Sequence, residues 1–300
     1  MAVNIQSGLD WGNRMPGDFI DTIITQSSFL NRLHLVDGVK SKVNVPIFGF
    51  SPVFHNDFCN FDPKSNASLD EKEMTVTDWK ADFQNCKGVL ESEWRSVLLR
   101  KGALTEETLD EEFGNWVFDR FAKETAKKLI TESATTLTTA IDSGPDEADV
   151  LKATISAITK ANVLDALETG YDTMSDSLLE ASYGDADREY APIILMGSAA
   201  IRSYNQAVAG QINSYDVSLQ ASGNMLPYFG MEVVHYPSLG ANRVWICNPT
   251  NLVFLTDGIG DDQAINSEYE AKTNTLNVWA QFRAGFDFRL GEEIVALYTS

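Results

Sequence analysis

The sequence predicts an α+β protein in which a long helix lies on a β-sheet. Apolar residues recur at helical spacing through residues 108–133, and they do so on one side only. Apolar and polar residues alternate through residues 276–290, as expected of strands with one solvated face. The short apolar run Ile193–Met196 stands directly before a helix with its own apolar stripe. Because a helix with bulky residues on one face must bury that face, these observations together indicate a helix packed on a sheet.

The composition indicates a folded protein with an acidic surface. Hydrophobic residues make up 44% of the 300 residues, which is ample for a core. The formal net charge is −20, divided into −14 in residues 139–300 (8 Lys and Arg, 22 Asp and Glu) and −6 in residues 1–138 (15 and 21). Such a surface repels phosphate backbones and disfavours broad nucleic-acid binding. The charge serves solubility, or it serves self-association in which the less acidic half of one copy meets the acidic half of another.

Cysteine use and hydropathy favour a soluble protein made in a reducing cytoplasm. The sequence has no run long enough to span a membrane, and its N-terminus lacks the hydrophobic region of a signal peptide. The three cysteines are scattered, and none belongs to a CxxC pair or to a metal-ligand pattern with the histidines. We therefore expect Cys59, Cys86 and Cys247 to be buried or half-buried small residues.

The first 40 residues are predicted to be a polar N-terminal arm followed by a short helix. Glycine and proline interrupt residues 1–17, whereas Asp18–Leu35 carries apolar residues at helical spacing. A strand is predicted next, at Lys42–Phe48. Pro46 cannot donate a backbone hydrogen bond, so it places this strand at an edge or an end of a sheet.

A polar stretch with three phenylalanines, Phe54–Glu73, is predicted to be a long loop of functional importance. With Lys42–Phe48 before it and a predicted strand at Glu73–Phe83 after it, the loop forms a two-stranded projection. The alternation changes phase at Asp78, which predicts a bulge or a change of exposed face. Since an isolated hairpin is marginal in water, the projection should lie against its own domain or against another molecule.

Helical periodicity dominates the middle of the chain. The longest predicted helix, Thr108 to about Ser133, begins with a capping-box pair of Thr108 and Glu111. Further helices are predicted at Gly88–Arg100, Asp146–Tyr171 and Met174–Ser182.

From residue 191 the pattern changes to short strands. Ile193–Met196 is predicted to be a fully buried strand, and Ser198 is predicted to cap the helix that follows. The C-terminal run is predicted to form two or three adjacent antiparallel strands. The later strands are predicted at residues 231–235, 244–247, 252–255 and 276–298, the last of these with breaks at Gly285 and Gly291.

No catalytic or nucleotide-binding motif is present in the sequence. The best metal candidate, Asp257 with Asp261 and Asp262, lacks the spacing of a calcium loop. His235 is interpreted as a packed core histidine rather than a general base. We therefore predict no enzymatic activity, no cofactor and no metal; the alternative is a soluble α+β enzyme that uses acidic residues near 257–262.

Three stretches carry a resemblance to a known family: APIILMGSAAIRSYNQA, YFGMEVVHYPSLGANRVWICNPTNLVFLTDG and QFRAGFDFRLGEEIVALYTS. In these stretches and in the order of its elements, nearly the whole chain resembles the major capsid protein of tailed bacteriophages, with the Hong Kong 97-type fold. The resemblance implies an N-terminal arm and short helix at 1–40, an extended loop (E-loop) at 41–87, a peripheral domain at 88–190 with its spine helix at 108–133, an axial domain at 191–274 and return strands of the peripheral domain at 275–300.

The resemblance also implies a structural role. Such a protein assembles into hexamers and pentamers of an icosahedral shell, and the shell encloses DNA without sequence-specific binding. Its partners would be copies of itself, together with any scaffolding, portal and decoration proteins, and its location would be the virion capsid after synthesis in the host cytoplasm. Some family members cross-link the E-loop covalently through a lysine; Lys64 and Lys72 lie in this region, but no motif assigns the partner. Because the E-loop and the arm reach neighbouring subunits in this family, the implied inter-subunit contacts are Phe54, Phe58, Phe61, Trp79, Phe83 and Trp11.

Two other assemblies compete with the capsid interpretation. An encapsulin-type nanocompartment shares the fold, and the sequence does not exclude it. A tail or decoration protein would form tubes or small rings instead of closed shells.

Overall fold

The structure is a computed structural model that describes residues 29–50, 67–86, 88–90, 92–93, 109–144, 147–183, 191–209, 226–257, 266–270, 272–273 and 275–299. The helices are α1 (Leu109–Ser143), α2 (Val163–Asp172), α3 (Asp176–Tyr183) and α4 (Ser198–Ala209). The strands are β1 (His34–Val36), β2 (Lys42–Phe50), β3 (Ala67–Thr75), β4 (Thr77–Cys86), β5 (Leu151–Thr154), β6 (Ile193–Met196), β7 (Glu232–His235), β8 (Val244–Cys247), β9 (Leu252–Thr256), β10 (Asn266–Glu270), β11 (Thr275–Phe288) and β12 (Ile294–Tyr298).

Helix α1 contains 35 residues and is therefore about 52 Å long. It continues ten residues beyond the predicted end at Ser133 because its buried stripe continues through Leu137 and Ile141, both fully buried. Thr135 and Thr139 bond back to the carbonyls four residues earlier, so these residues are accommodated in the helix without unpaired hydroxyls. The predicted end was wrong because the hydroxyl residues masked the apolar spacing.

The first sheet is built around the long strand β11. One edge of β11 pairs with β4 from Thr275 to Ala284, while the opposite edge pairs with β10 near its start and with β9 near its end. Strand β1 extends the sheet in parallel with β9. Helix α1 covers this sheet, and alternate β11 residues such as Val278 and Ala280 join Phe121 and Leu129 of α1 in one core. The predicted alternation of β11 is confirmed.

The second sheet has the order β5-β12-β8-β6-β7, and its central strands are buried on both faces. Residues facing one side, such as Trp245, belong to the same core as α1. Their neighbours, such as Ile246, pack with α2 and α4 on the other side. Burial on both faces explains why β6, β8 and β12 read as continuous apolar runs without alternation.

Three predictions about the type, the extent or the pairing of elements were wrong. Residues 146–171 are not one helix, since β5 pairs in parallel with β12 and α2 begins only at Val163. Gly285 does not break the C-terminal run, because β11 continues through it to Phe288. The last strand, β12, pairs with β8 and β5 in the second sheet, so it does not continue the sheet of β11.

The predicted helix at Asp18–Leu35 is also corrected at its end. Leu30–Arg32 forms a single 3₁₀ turn, and His34–Val36 is a strand paired with β9. Residues 18–28 lie outside the described residues, as does most of Gly88–Arg100. Pairing with β9 overrides the helical spacing of the segment, because buried backbone groups at the edge of a sheet require partners.

The two-stranded projection forms from different strands than predicted. Strand β2 pairs antiparallel with β3, from Lys42 opposite Thr75 to Phe50 opposite Ala67. The residues after Val76 leave this hairpin and pair with β11 as β4. The phase change in the sequence marks this exchange of partners, which occurs at Val76, two residues before the predicted position. Below, the β2–β3 hairpin is simply called the hairpin.

Candidate assembly surfaces

The hairpin is a two-stranded sheet separate from the other two. Nine residues in each strand span about 30 Å, and the two strands bond to no other described strand. Pro46 lies in β2, where an edge position tolerates its missing N–H group. A two-stranded element is marginal by itself in water, so it must be stabilised by packing on its own chain or on another molecule.

The base of the hairpin is held by apolar packing. Met74 is fully buried against Val253 and Leu255 of β9. The half-buried side chains of Val43 and Val45 pack on the same small cluster. A backbone hydrogen bond joins the two strands at the base of the hairpin: the Val76 N–H donates to the Ser41 carbonyl at 3.0 Å. The hairpin therefore leaves the molecule in a defined direction.

Lys72 adds a charged anchor on the same face. Its Nζ lies 3.2 Å from Asp287 Oδ1 and 3.5 Å from the centre of the Phe288 ring, and only 9% of its side chain is exposed. An ammonium group placed over an aromatic face and beside a carboxylate is attracted by both. The sequence offered a signal for this anchor, because Lys72 shares the strand face of Met74 at a spacing of two residues.

The opposite face of the hairpin is polar. Lys42 Nζ lies 2.6 Å from Glu73 Oε2, and the Asn44 side-chain amide donates to Glu71 at 3.0 Å. Such cross-strand pairs set the register without requiring burial. The hairpin thus has one face turned to the body of the protein and one face suited to water.

A groove of about 410 Å³ lies between α1 and β4. The Trp79 ring, which lines it, is oriented by a hydrogen bond from Nε1 to the Ala284 carbonyl at 3.2 Å. An apolar surface bordered by charges of both signs has the composition of a protein–protein contact. The apolar lining comes from Trp79, Phe83, Leu90, Trp116, Phe121 and Phe282, and the charged lining from Lys80, Asp82, Arg120, Glu124, Lys128 and Glu132.

Two of the six predicted contact residues come together in this groove. Trp79 and Phe83 share one face of β4, both half-buried, and both line the groove. Phe54, Phe58, Phe61 and Trp11 lie outside the described residues. The structure therefore places one pair of predicted contacts on one surface, and the contact role itself stays a prediction.

Ion pairs join segments that are distant in sequence. Arg32 makes a two-fold contact with Glu232 of β7, at 2.7 and 2.8 Å, and these hydrogen bonds raise the pKa of Arg32 and lower that of Glu232. Arg283 of β11 bonds to Asp78 and to Asp257, each at 2.7 Å, and the same bonds raise its pKa. Both pairs are partly exposed, so they align the elements more than they stabilise them.

The predicted metal and acid–base candidates have other roles where they are described. Asp257 is engaged by Arg283, and Asp261 and Asp262 lie outside the described residues. Within the described residues, no three His, Cys, Asp or Glu side chains come together as a metal site would require. His235 is not a core residue: it is exposed, and its Nε2 lies 2.9 Å from Ser198 Oγ.

The expectation of buried or half-buried cysteines is met at Cys247 and is wrong at Cys86, which lies at the end of β4. Cys86 is exposed and Cys247 is buried, while Cys59 lies outside the described residues. Burial raises the pKa of the Cys247 thiol to about 12. Across the same residues, no helix combines the length and the apolar character required to cross a membrane.

Comparison with known proteins places the fold. No protein-family model and no curated protein matches the sequence. Among solved structures, a chain of the satellite phage P4 procapsid, which includes the size determination protein, has a TM-score of 0.63 at 13% identity, covering 94% of this chain and 89% of that chain. The virus-like particle from Pyrococcus furiosus has a TM-score of 0.53 at 14% identity, with 96% and 99% covered. The capsid of the native GTA particle has a TM-score of 0.51 at 12% identity, with 92% and 90% covered.

Identities this low establish likeness of fold, and the coverage extends that likeness to nearly the full length of both chains. In this chain the fold consists of a long helix on a sheet, a second sheet buried on both faces, and a separate two-stranded hairpin. The chain has the α+β, Hong Kong 97-type fold of phage capsid proteins.

Proposed function

We propose that the chain is a major capsid protein that assembles, as hexamers and pentamers of identical copies, into an icosahedral shell. The likeness to the P4 procapsid chain, which extends over 94% of this sequence, is the observation that carries the proposal. The hairpin supports it, because a two-stranded element about 30 Å long, with its base held by Met74 and Lys72, is suited to lie on a neighbouring copy. No catalytic residue, cofactor or metal is required for this role.

The proposed organisation follows the resemblance. Residues 1–40 contain the N-terminal arm, and their last part is built into the first sheet as β1. In this proposal residues 41–87 contain the extended loop, 88–190 and 275–300 form the peripheral domain, and 191–274 form the axial domain. Strand β4 pairs with β11, which supports a loop whose projecting part is the hairpin and whose second half is built into the peripheral sheet. Contacts between different surfaces of identical copies close into rings, which provides the hexamers and pentamers.

The proposed contents are DNA held without sequence-specific contacts. The net charge of −20 disfavours tight binding of a phosphate backbone, so packaged DNA would remain mobile within the shell. Scaffolding, portal and decoration proteins are proposed partners, the mature location is the virion capsid, and synthesis occurs in the host cytoplasm.

The test is sedimentation velocity of the purified protein, followed by negative-stain microscopy of the fastest-sedimenting species. Closed shells, or rings with five or six members, are the expected result. A monomer of about 33 kDa at high concentration, with and without a co-expressed scaffold, would contradict the proposal.

The contact residues are tested by replacing Phe58 and Phe61 together by Ser. Loss of two aromatic contacts per subunit should reduce particle yield while the subunit remains folded. Val89→Ser is a matched control, since Val89 is an exposed apolar residue outside the hairpin, 47% accessible to solvent. Equal particle yields from the double variant and the control would contradict the proposed loop contact.

A cellular nanocompartment of the encapsulin type is the second candidate. It is favoured by the match to the virus-like particle from Pyrococcus furiosus, in which 99% of the other chain is covered. The two functions differ in what the particle contains. Nuclease-protected DNA in particles from the native source supports the capsid, whereas a co-purifying enzyme without DNA supports the nanocompartment.

A further inference from the structure

A strained turn precedes strand β7. Tyr228 and Met231 exchange two backbone hydrogen bonds of 3.0 and 2.9 Å around a two-residue loop, Phe229-Gly230. Both loop residues have positive φ, 46° at Phe229 and 81° at Gly230, which is the type I′ hairpin turn. Gly230 adopts this conformation without strain, but a bulky residue at the first position is a genuine outlier. Asn or Gly would suit the backbone better than Phe.

Phe229 is also the most exposed large hydrophobic side chain among the described residues, 51% accessible to solvent. Its ring lies 4.8 Å from the Tyr171 ring and 4.6 Å from the Tyr228 ring, measured between centroids and tilted in both cases. Neither backbone conformation nor burial explains the presence of Phe at this position. Strain of this kind persists where it serves a function. These three rings are named here the aromatic patch.

Three carboxylates of the neighbouring helix α2 act on the aromatic patch. Asp165, Glu168 and Asp172 project from α2, and all three are exposed. Tyr228 is held against α2 by a hydrogen bond from its Oη to the Leu164 carbonyl at 3.3 Å. Burial raises the pKa of Tyr228, and the three carboxylates raise it further, so their negative field reaches the patch. An exposed aromatic ring such as that of Phe229, placed in a negative field, favours a cation.

The acidity of the aromatic patch determines which contact it can make. If two patches met across a two-fold axis, six carboxylates would be brought together, and such like-charge contact is repulsive. The patch must therefore meet a different, basic surface. Between identical copies, a contact of two different surfaces is heterologous and closes into rings. The chain contains 23 Lys and Arg residues that can supply the basic side.

We propose that the aromatic patch of Tyr171, Tyr228 and Phe229 receives a lysine or arginine side chain from a neighbouring copy of this chain within the ring. This inference rests on the proposed function, since it requires an assembly of copies. It adds to that function a defined surface at the N-terminal end of β7, remote in sequence from the hairpin, which holds adjacent copies together by cation–π and charge contacts.

The decisive variant is Phe229→Asn, because Asn removes the ring and tolerates positive φ. We expect a melting temperature equal to or above that of the wild type, together with an increase of about tenfold in the subunit concentration required for assembly. A tenfold change corresponds to about 1.4 kcal/mol, which is within the range of a desolvated cation–π contact. Phe229→Gly is the second variant, which preserves the turn without any side chain.

The charges are tested by Asp165→Asn combined with Glu168→Gln. Neutralisation should weaken assembly and make it less sensitive to salt, since screening then acts on fewer charges. Glu268→Gln combined with Glu270→Gln is the matched control, because both carboxylates are exposed on β10 of the other sheet. Equal loss of assembly in this control would assign the effect to net charge and overturn the proposed contact.

The remaining outcomes are distinguishable. Wild-type particles together with unaltered assembly of both Phe229 variants would overturn the inference and leave the proposed function intact. A lower melting temperature of both Phe229 variants would make Phe229 a structural residue and also overturn it. Failure of the wild-type protein to associate would defeat the proposed function and the inference together.

Discussion

Replacement of Gly285 by Ala should displace the hairpin from the body of the protein. A Cβ atom at residue 285 would lie 2.4 Å from the Thr75 carbonyl oxygen and 3.2 Å from Val76 Cα. Ordinary contacts between such atoms are about 3.5–4.0 Å long, and neither neighbour is the end of a flexible side chain. The chain between β3 and β4 would therefore have to move away from β11.

The size of the effect follows from the kind of atoms involved. Overpacking that forces backbone movement costs about 1–3 kcal/mol. For a chain of this size, each kcal/mol lowers the melting temperature by about 2–4 °C, so the expected decrease is roughly 2–12 °C. Because Met74 and Lys72 anchor the hairpin next to this junction, we also expect a change in hairpin direction and a lower particle yield.

Differential scanning calorimetry and sedimentation velocity measure the two effects. Gly88→Ala is the matched control, since a Cβ there meets no atom of the described residues within 4 Å and Gly88 lies in a helical turn. In that helical turn Ala is favoured over Gly, so the control should melt at the wild-type temperature or slightly above it. If Gly285→Ala also melts with the wild type and assembles normally, the close approach of Thr75 to β11 is refuted.

Three further predictions concern buried polar groups. Lys72→Met should lower the free energy of unfolding by about 1–3 kcal/mol, a value between those of exposed and buried ion pairs. Urea titration measures this loss, and an unchanged midpoint would show that the ion pair with Asp287 contributes nothing to stability. Tyr236→Phe should lower the free energy of unfolding by about 1–2 kcal/mol, because the buried Ser133 hydroxyl loses a hydrogen-bond partner at 2.7 Å. A double-mutant cycle with Ser133→Ala should show coupling between the two residues, and additive effects would contradict this hydrogen bond. The Cys247 thiol, with its pKa raised to about 12, should resist alkylation at pH 8 in the folded protein and should react in urea. Peptide mass spectrometry measures the labelling, and equal labelling in both states would contradict the burial of Cys247.

The anchoring of the hairpin gives the shell hypothesis a mechanical basis. Met74 and Lys72 lie within three residues of Thr75, whose carbonyl oxygen is the close neighbour of Gly285. Among the described strands, β2 and β3 pair only with each other. An element that is held firmly at one end transmits the orientation of its own subunit to whatever its tip contacts. Hairpin direction is therefore the quantity that we expect to link subunit packing to particle geometry.

Periodicity alone determined the α+β class, the long helix on a sheet and the strands β6, β8 and β9, because each of these has a stripe or run of apolar residues that reports its own burial. The resemblance in three stretches of sequence predicted the Hong Kong 97-type fold. The sequence also predicted that Trp79 and Phe83 lie on one face of β4, because side chains on a strand alternate between its two faces.

Tertiary structure alone decided which strands meet. Strand β5 reads as part of a helix in sequence, and it becomes a strand because β12 offers a parallel edge. Gly285 reads as a break, and it is instead a point where the backbone of Thr75 comes too close for a side chain. The β2–β3 pairing, the Lys72 anchor and the strained exposure of Phe229 likewise depend on partners distant in sequence or on a backbone angle. Local sequence reports the burial of a residue, whereas the identity of its neighbours is set by packing of the whole chain.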